Sequence, residues 1–226
     1  TVSDAGVAVR TYLVTRTVTF SIDVDASLDR DEIWAEATRH TGVSHEGDAI
    51  AEDIEQYTRS ASTINGVTTL EYTVTYRSTE SQEAELSSWI TAKVQELTNP
   101  GDSDYDKLVA IYQYICATVT YDNSYTRYSA YDAMQGSSVC QGYATLLYRM
   151  LLEAGLDCRI VTGTATNSSG GTENHAWNIV RIDGVYYYVD PTWDSNYGAN
   201  IGDYKYFLKA GYTDHVSDDG IPGKYP

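Results

Sequence analysis

The stretch SSVCQGYATLLYRMLLEAGLDC, Ser137–Cys158, decides the fold. With Cys140 as residue i, Tyr143, Ala144, Leu147, Leu151 and Ala154 fall at i+3, i+4, i+7, i+11 and i+14. That is the repeat of one buried helical stripe, which Gly155 stops. Cys140 therefore points the way the stripe points and occupies the first helical turn. Free N–H groups and the positive dipole end stabilise an anion there, favouring thiolate over a thiol whose ordinary pKa is about 8.5. A small buried hydrophobe fits the same position. The helix alone does not choose between them.

Downstream, ENHAWNIVRIDGVYYYVDPTWD, Glu173–Asp194, carries Asp183-Gly184 between two strand-forming runs, the signal of a two-residue hairpin turn. Ile182 then faces Val185, and each opposed pair of residue numbers sums to 367. This register sets Asp190 opposite Trp177, diagonal to His175 on the same face at roughly 7–8 Å, within reach of the imidazole. A thiol nucleophile needs a base to hold its proton, and the base needs an acceptor to fix its tautomer. Cys140, His175 and Asp190 are the candidate catalytic residues.

Upstream, SDYDKLVAIYQYICATVTYD opens with Ser103 as N-cap and sets Leu108, Ile111, Tyr112, Ile115 and Val119 on one helical face. The first hundred residues carry no chemical cluster. Val7–Val24 reads as a strand, with Val14, Val18, Phe20, Ile22 and Val24 at period two, and a short helix follows, opened by Asp29 and stopped by Gly42. Asn65-Gly66 predicts a hairpin, and Leu86, Ile90, Val94 and Leu97 stripe one more helix before Asn99-Pro100-Gly101. The expected organisation is a small β-α-β-β-α domain or extension over residues 1–100 and a catalytic domain over 101–226.

The net charge is −17, and it is spread: Thr1–Pro100 carries 7 basic and 17 acidic residues and the remainder 8 and 15. This field repels phosphate backbones and argues against nucleic acid as a partner. No apolar run approaches the roughly 20 residues a membrane helix needs, so no transmembrane segment is expected. The three cysteines form no CxxC pair and the four histidines no HExxH or HxH grouping, which argues against a metal site. An odd cysteine count leaves at least one thiol unpaired within the chain. A Cys116–Cys158 disulfide and two reduced core thiols fit equally well.

VCQGYA, NHAWNIV and YYYVDPTWD, in this order and spacing, resemble the signature blocks of the bacterial transglutaminase-like superfamily over roughly Asp104–Leu208. The resemblance implies an α+β, papain-like core, a cysteine helix packed on an antiparallel sheet that carries the other two residues. It implies Cys140 as nucleophile, His175 as general base and acid, and Asp190 as its orienter. No cofactor is implied, and a secreted or bacterial cell-surface location is.

Gln141-Gly142-Tyr143 follows the nucleophile where animal transglutaminases have tryptophan. That departure tilts the expectation towards hydrolysis of a protein or peptide amide, a peptidase or amidase, over crosslinking by a transglutaminase. A noncatalytic surface binding module is the alternative of another class. The Cys140 backbone N–H is the natural oxyanion donor, with Tyr131 and Gln135 as candidates for a second. Gln141, Trp177 and Trp193 are candidates for the substrate-binding wall. His40, His45 and His215 read as solvated or capping positions. Substrate identity and oligomeric state are not encoded in these patterns.

Overall fold

The computed structural model describes residues 1–225. Two compact units divide between Ala84 and Glu85, inside a helix rather than at Asn99-Pro100-Gly101.

The first unit runs α1 (Val2–Val14), β1 (Thr19–Asp25), α2 (Arg30–Ala37), α3 (Asp48–Asp53), β2 (Ile54–Ile64) and β3 (Val67–Tyr76). Its sheet is antiparallel, in the order β1-β3-β2. The strand expected over Val7–Val24 is corrected in its first half, which is helix α1. Thr1 caps that helix in a reciprocal capping box with Asp4. Ala5, Val9 and Leu13 form its buried stripe, which the β-branched residues between them conceal from a period-two reading. The remainder of that stretch is β1, which buries Phe20 and Val24. Asp29 caps α2, accepting from the N–H groups of Asp31 and Glu32, and Asn65-Gly66 turns the β2–β3 hairpin with both residues at positive φ, 52° and 81°. Rings of Tyr12, Phe20, Tyr72, Trp34 and Tyr57 stack in succession across this unit.

Helix α4 (Glu80–Leu97) crosses the division. The second unit continues with α5 (Asp104–Thr118), β4 (Thr120–Tyr121), α6 (Ala130–Met134), β5 (Ser137–Ser138) and α7 (Cys140–Glu153). It closes with β6 (Cys158–Thr166), β7 (Thr172–Ile182), β8 (Val185–Val189), α8 (Pro191–Asp194), β9 (His215–Ser217) and α9 (Ile221–Lys224). β4 and β5 pair in parallel, and the main sheet is antiparallel in the order β8-β7-β6-β9.

Helix α7 packs on β6 and β7, and Asn178 Nδ2 of β7 donates to the Ala144 carbonyl of the helix at 2.9 Å. Tyr143, Ala144, Leu147 and Leu151 are fully buried, so the apolar stripe faces the sheet. This is the expected α+β arrangement, a cysteine helix packed on an antiparallel sheet. The Asp183-Gly184 turn has both residues at positive φ and pairs Ile182 with Val185 through Asn178 with Val189, the register the turn dictates.

Cys116, Cys140 and Cys158 are separate thiols, none of them in a disulfide. Cys116 is buried on α5 and donates to the Pro191 carbonyl at 3.6 Å, and Cys158 is buried on β6 beside Asn178. Among the described residues no helix is long and apolar enough to cross a membrane.

Candidate active site

Cys140 is the first residue of α7. The residue before it, Val139, offers no side-chain cap, and the first turn holds no acidic residue, so the dipole end is left for another anion. The approach to the helix is pinned from behind. Val139 N–H and Ser138 Oγ both donate to the Arg127 carbonyl, at 2.9 and 3.0 Å. Asp122 organises that segment by accepting from the Ser124 hydroxyl and from the N–H groups of Thr126, Ser124 and Arg127, bonds that hold its carboxyl well below the usual range. Cys140 is half-buried, unlike the other two thiols.

His175 lies on β7 with its ring 5.3 Å from Trp193 and 6.0 Å from Trp177. Its Nε2 meets Asp190 Oδ2 at 2.7 Å. The Asp190 carboxylate is buried, and the sequence after it explains its aim. Asp190 leaves the β8 ladder as the N-cap of α8, with Pro191 at the first helical position. Oδ1 therefore accepts from the N–H groups of Thr192 and Trp193, at 2.9 and 3.2 Å, leaving Oδ2 for the imidazole. Its own N–H donates to the Tyr206 carbonyl at 3.1 Å. One residue thus caps a helix and holds a histidine.

Burial by itself would lower the His175 pKa, but the Asp190 charge and hydrogen bond, with a further hydrogen bond from Cys140, outweigh it and push it up to about 10. Burial would raise Asp190; His175 and His215 bring it down to about 2. Relative to 6.5 for a free imidazole, the raised His175 contributes stability that is whole below pH 6.5 and lost as pH climbs towards 10. The depressed Asp190 contributes stability present above 3.8 and lost as pH falls through 2. Thermal denaturation across pH should therefore show the pair's contribution at full strength between about 4 and 6.5. Asp190→Asn should flatten both slopes, and an unchanged profile in that variant would contradict the pairing.

A cleft of about 360 Å³ opens onto His175, bounded by Tyr121, Asn123, Tyr125, Glu173, Trp193 and Asn196. Of the wall candidates, Trp193 lines it. Trp177 is 1% exposed and fills core behind the histidine. Gln141 is half-buried in the first turn of α7, its carbonyl accepting from Thr145 Oγ1. Tyr131 and Gln135 do not line the cleft: the Tyr131 hydroxyl donates to Glu85 Oε2 at the surface, and Gln135 caps the C-terminus of α6.

His215 corrects the expectation of a solvated position. Its side chain is 1% exposed, with Nε2 3.1 Å from Asp190 Oδ2 and Nδ1 2.7 Å from Asp214 Oδ1. It sits on β9, which pairs with β6 at Ala165. With only three residues, β9 offers no periodicity to read. The ligand-capable atoms of His175, Asp190 and His215 lie within 4.8 Å of one another. Both imidazoles aim Nε2 at the same Asp190 oxygen, so hydrogen bonding accounts for the cluster.

The site thus sets a helix-borne thiol beside a histidine on β7 and an aspartate where β8 gives way to α8. Residues 91–191 match the family model described as Transglutaminase-like superfamily. Kyphoscoliosis peptidase from Mus musculus is 30% identical over 124 residues, 49% of this chain and 19% of the relative. The Homo sapiens protein of the same name is 30% identical over 129 residues, 48% and 20%. The chain spans about a fifth of the length of these relatives. Among solved structures, one described as a TGase aligns with a TM-score of 0.40 at 18% identity, covering 90% of this chain and 60% of that one. The periplasmic domain of TgpA from Pseudomonas aeruginosa aligns at 0.36 and 18% identity, covering 57% and 56%.

Proposed function

We propose that the second unit is a cysteine-dependent acyl-transfer enzyme that cleaves amide bonds of a protein or peptide, with Cys140 as nucleophile, His175 as base and acid, and Asp190 as orienter. The observation that carries this is the buried 2.7 Å His175–Asp190 contact beside a half-exposed thiol at a helix N-terminus. Because Nε2 is held by Asp190, Nδ1 is the nitrogen that serves the thiol.

The Cys140 thiol passes its proton to Nδ1, and the sulfur forms a bond to the amide carbonyl carbon while the carbonyl π pair moves onto oxygen. That oxyanion lies at the start of α7, where the backbone N–H of Cys140 donates to it. As the intermediate collapses the C–N bond breaks, its electron pair takes the Nδ1 proton, and the free amine departs. A thioester on Cys140 remains. Water then adds with its proton going to Nδ1, the C–S bond breaks with its electron pair passing to the Cys140 sulfur, which takes back the Nδ1 proton, and a carboxylic acid leaves.

Water is favoured as acceptor by the Gln-Gly-Tyr sequence after the nucleophile and by the name peptidase of the two curated relatives. A second reading, transfer to an amine, is favoured by Glu173 in the cleft beside the Tyr125 and Trp193 rings, a setting that accommodates a cation. The acidic charge and the resemblance support a secreted or surface setting for either.

The test is the rate of alkylation at each cysteine as a function of pH, read by peptide mass spectrometry, in the wild type and in His175→Ala. Burial pushes the Cys116 thiol up, so Cys116 should stay silent. Cys140 should react selectively at pH about 7, and that reactivity should fall at least about tenfold in His175→Ala. If Cys140 resists the reagent, or reacts alike in both proteins, the proposal fails and a binding module becomes the better description. Release of amine from a peptide, against incorporation of a labelled amine, then separates hydrolysis from transfer.

A further inference from the structure

His215 lies outside the stretch matched by the family model, which ends at residue 191. It is nonetheless bonded directly to the candidate catalytic carboxylate. Asp190 Oδ2 takes two imidazoles, His175 at 2.7 Å and His215 at 3.1 Å, while Oδ1 is taken by two backbone N–H groups. The His215 ring is enclosed by Tyr212 at 4.4 Å, Trp193 at 4.6 Å, Trp177 at 4.9 Å, His175 at 5.3 Å and Tyr206 at 5.6 Å.

Aromatic packing alone would leave both ring nitrogens of a buried histidine without partners. This one instead has a carboxylate oxygen at each ring nitrogen, and an imidazole satisfies both only by donating from both. Asp214, its partner at Nδ1, is itself held by the Tyr206 hydroxyl at 2.8 Å. Tyr206 also supplies the carbonyl that accepts from the Asp190 N–H and from the Tyr212 hydroxyl. Tyr206 therefore ties Asp214 and Asp190 into one network around the ring.

We infer that His215 is a positioning residue of this site: by donating Nε2–H to Asp190 Oδ2, and anchored in turn by Asp214, it fixes the carboxylate against which His175 is oriented. The inference rests on the function proposed above. Its physical content is the rotamer and charge of Asp190. Without His215, Oδ2 keeps one donor, and a buried carboxylate short of donors rises towards its neutral form. A neutral Asp190 no longer balances an imidazolium at His175. The groups that would then face Asp190 are His175 from β7, the Thr192 and Trp193 amides and the Asp194 carboxyl from α8, Tyr112 and Cys116 from α5, Tyr143 from α7, and Tyr206 and Tyr212.

The test uses the full chain with His215→Phe, which keeps an aromatic ring and removes both donors, and His215→Gln, which keeps an N–H donor. Peptide hydrolysis and Cys140 alkylation are followed across pH about 4 to 10 beside His175→Ala. For His215→Phe, kcat should fall about 10- to 100-fold with KM within about twofold, and the acid limb of kcat should move up in pH. His215→Gln should recover most of the loss.

Full activity and an unshifted acid limb in His215→Phe, while His175→Ala has lost Cys140 reactivity, would reduce His215 to packing and leave the proposed function standing. Cys140 reactivity indifferent to His175 would overturn both. Should His215→Phe fail to fold by circular dichroism, His215→Ala with added imidazole asks the same question, since free imidazole can enter the vacated space. Recovery of the rate supports the inference, and its absence overturns it.

Discussion

Asp190→Asn is expected to lower kcat for amide hydrolysis by about 10³- to 10⁴-fold with the fold retained. Four donors converge on this side chain: the amides of Thr192 and Trp193 on Oδ1, and the imidazoles of His175 and His215 on Oδ2. A carboxylate accepts all four, whereas an asparagine has one accepting end and one donating end. With its oxygen towards the imidazoles, its NH₂ opposes two backbone N–H groups and loosens the start of α8. With the amide reversed, the cap is kept and the NH₂ faces His175 Nε2, which must then be the unprotonated nitrogen. The tautomer so selected carries its proton on Nδ1, where it cannot accept one from Cys140. The first orientation loosens the segment that aims residue 190, and the second disables the base. Initial rates of peptide cleavage, with circular dichroism as the fold control, check this, and a variant within tenfold of wild type would show that Asp190 does not orient His175.

Gly142→Ala is expected to destabilise the second unit by about 3 kcal/mol or more and to reduce Cys140 reactivity at least tenfold. A Cβ on Gly142 would stand 2.0 Å from Ser138 Oγ, 2.6 Å from the Ser129 carbonyl oxygen and 2.8 Å from Ser138 Cβ. Neither neighbour can retreat. Ser138 is fully buried with its hydroxyl on the Arg127 carbonyl, and Ser129 is the N-cap of α6, locked by a capping box with Asp132. The first turn of α7 must shift, and Cys140 shifts with it. Because Ser138→Gly removes two of the three clashes and leaves the Ser129 oxygen, adding it to Gly142→Ala should restore part of the stability. Denaturant unfolding and the alkylation rate at Cys140 measure both effects. A stability change under about 0.5 kcal/mol would mean that the backbone here is softer than its hydrogen bonds imply.

The predictions draw on features that were unequally legible beforehand. The two hairpins are written locally, because Asn65-Gly66 and Asp183-Gly184 tolerate the positive φ that a two-residue turn demands, and the turn fixes the register on either side. The α7 stripe is equally local. Helix α1 is not: its β-branched residues read as strand, and what makes it a helix is a capping box at Thr1 and burial of one face against α2. The close approach at Gly142 involves Ser129, thirteen residues away, and no periodicity reports it.

Within the candidate site, sequence by itself determined that a cysteine opens an amphipathic helix, and that a histidine and an aspartate share one hairpin at a register that lets them meet. These follow from helical and strand periods and from turn chemistry, all of which act within a few residues. Only the tertiary structure decided that Asp190 reaches His175 by capping α8, that Trp177 is core while Trp193 lines the cleft, and that Cys116 and Cys158 stay separate thiols. It also brought His215, twenty-five residues beyond Asp190, back onto the same carboxylate oxygen by adding β9 to the far edge of the sheet. Pairing across a sheet edge depends on where a returning chain lands and on the burial available there, and a three-residue strand has no period from which that landing could be read.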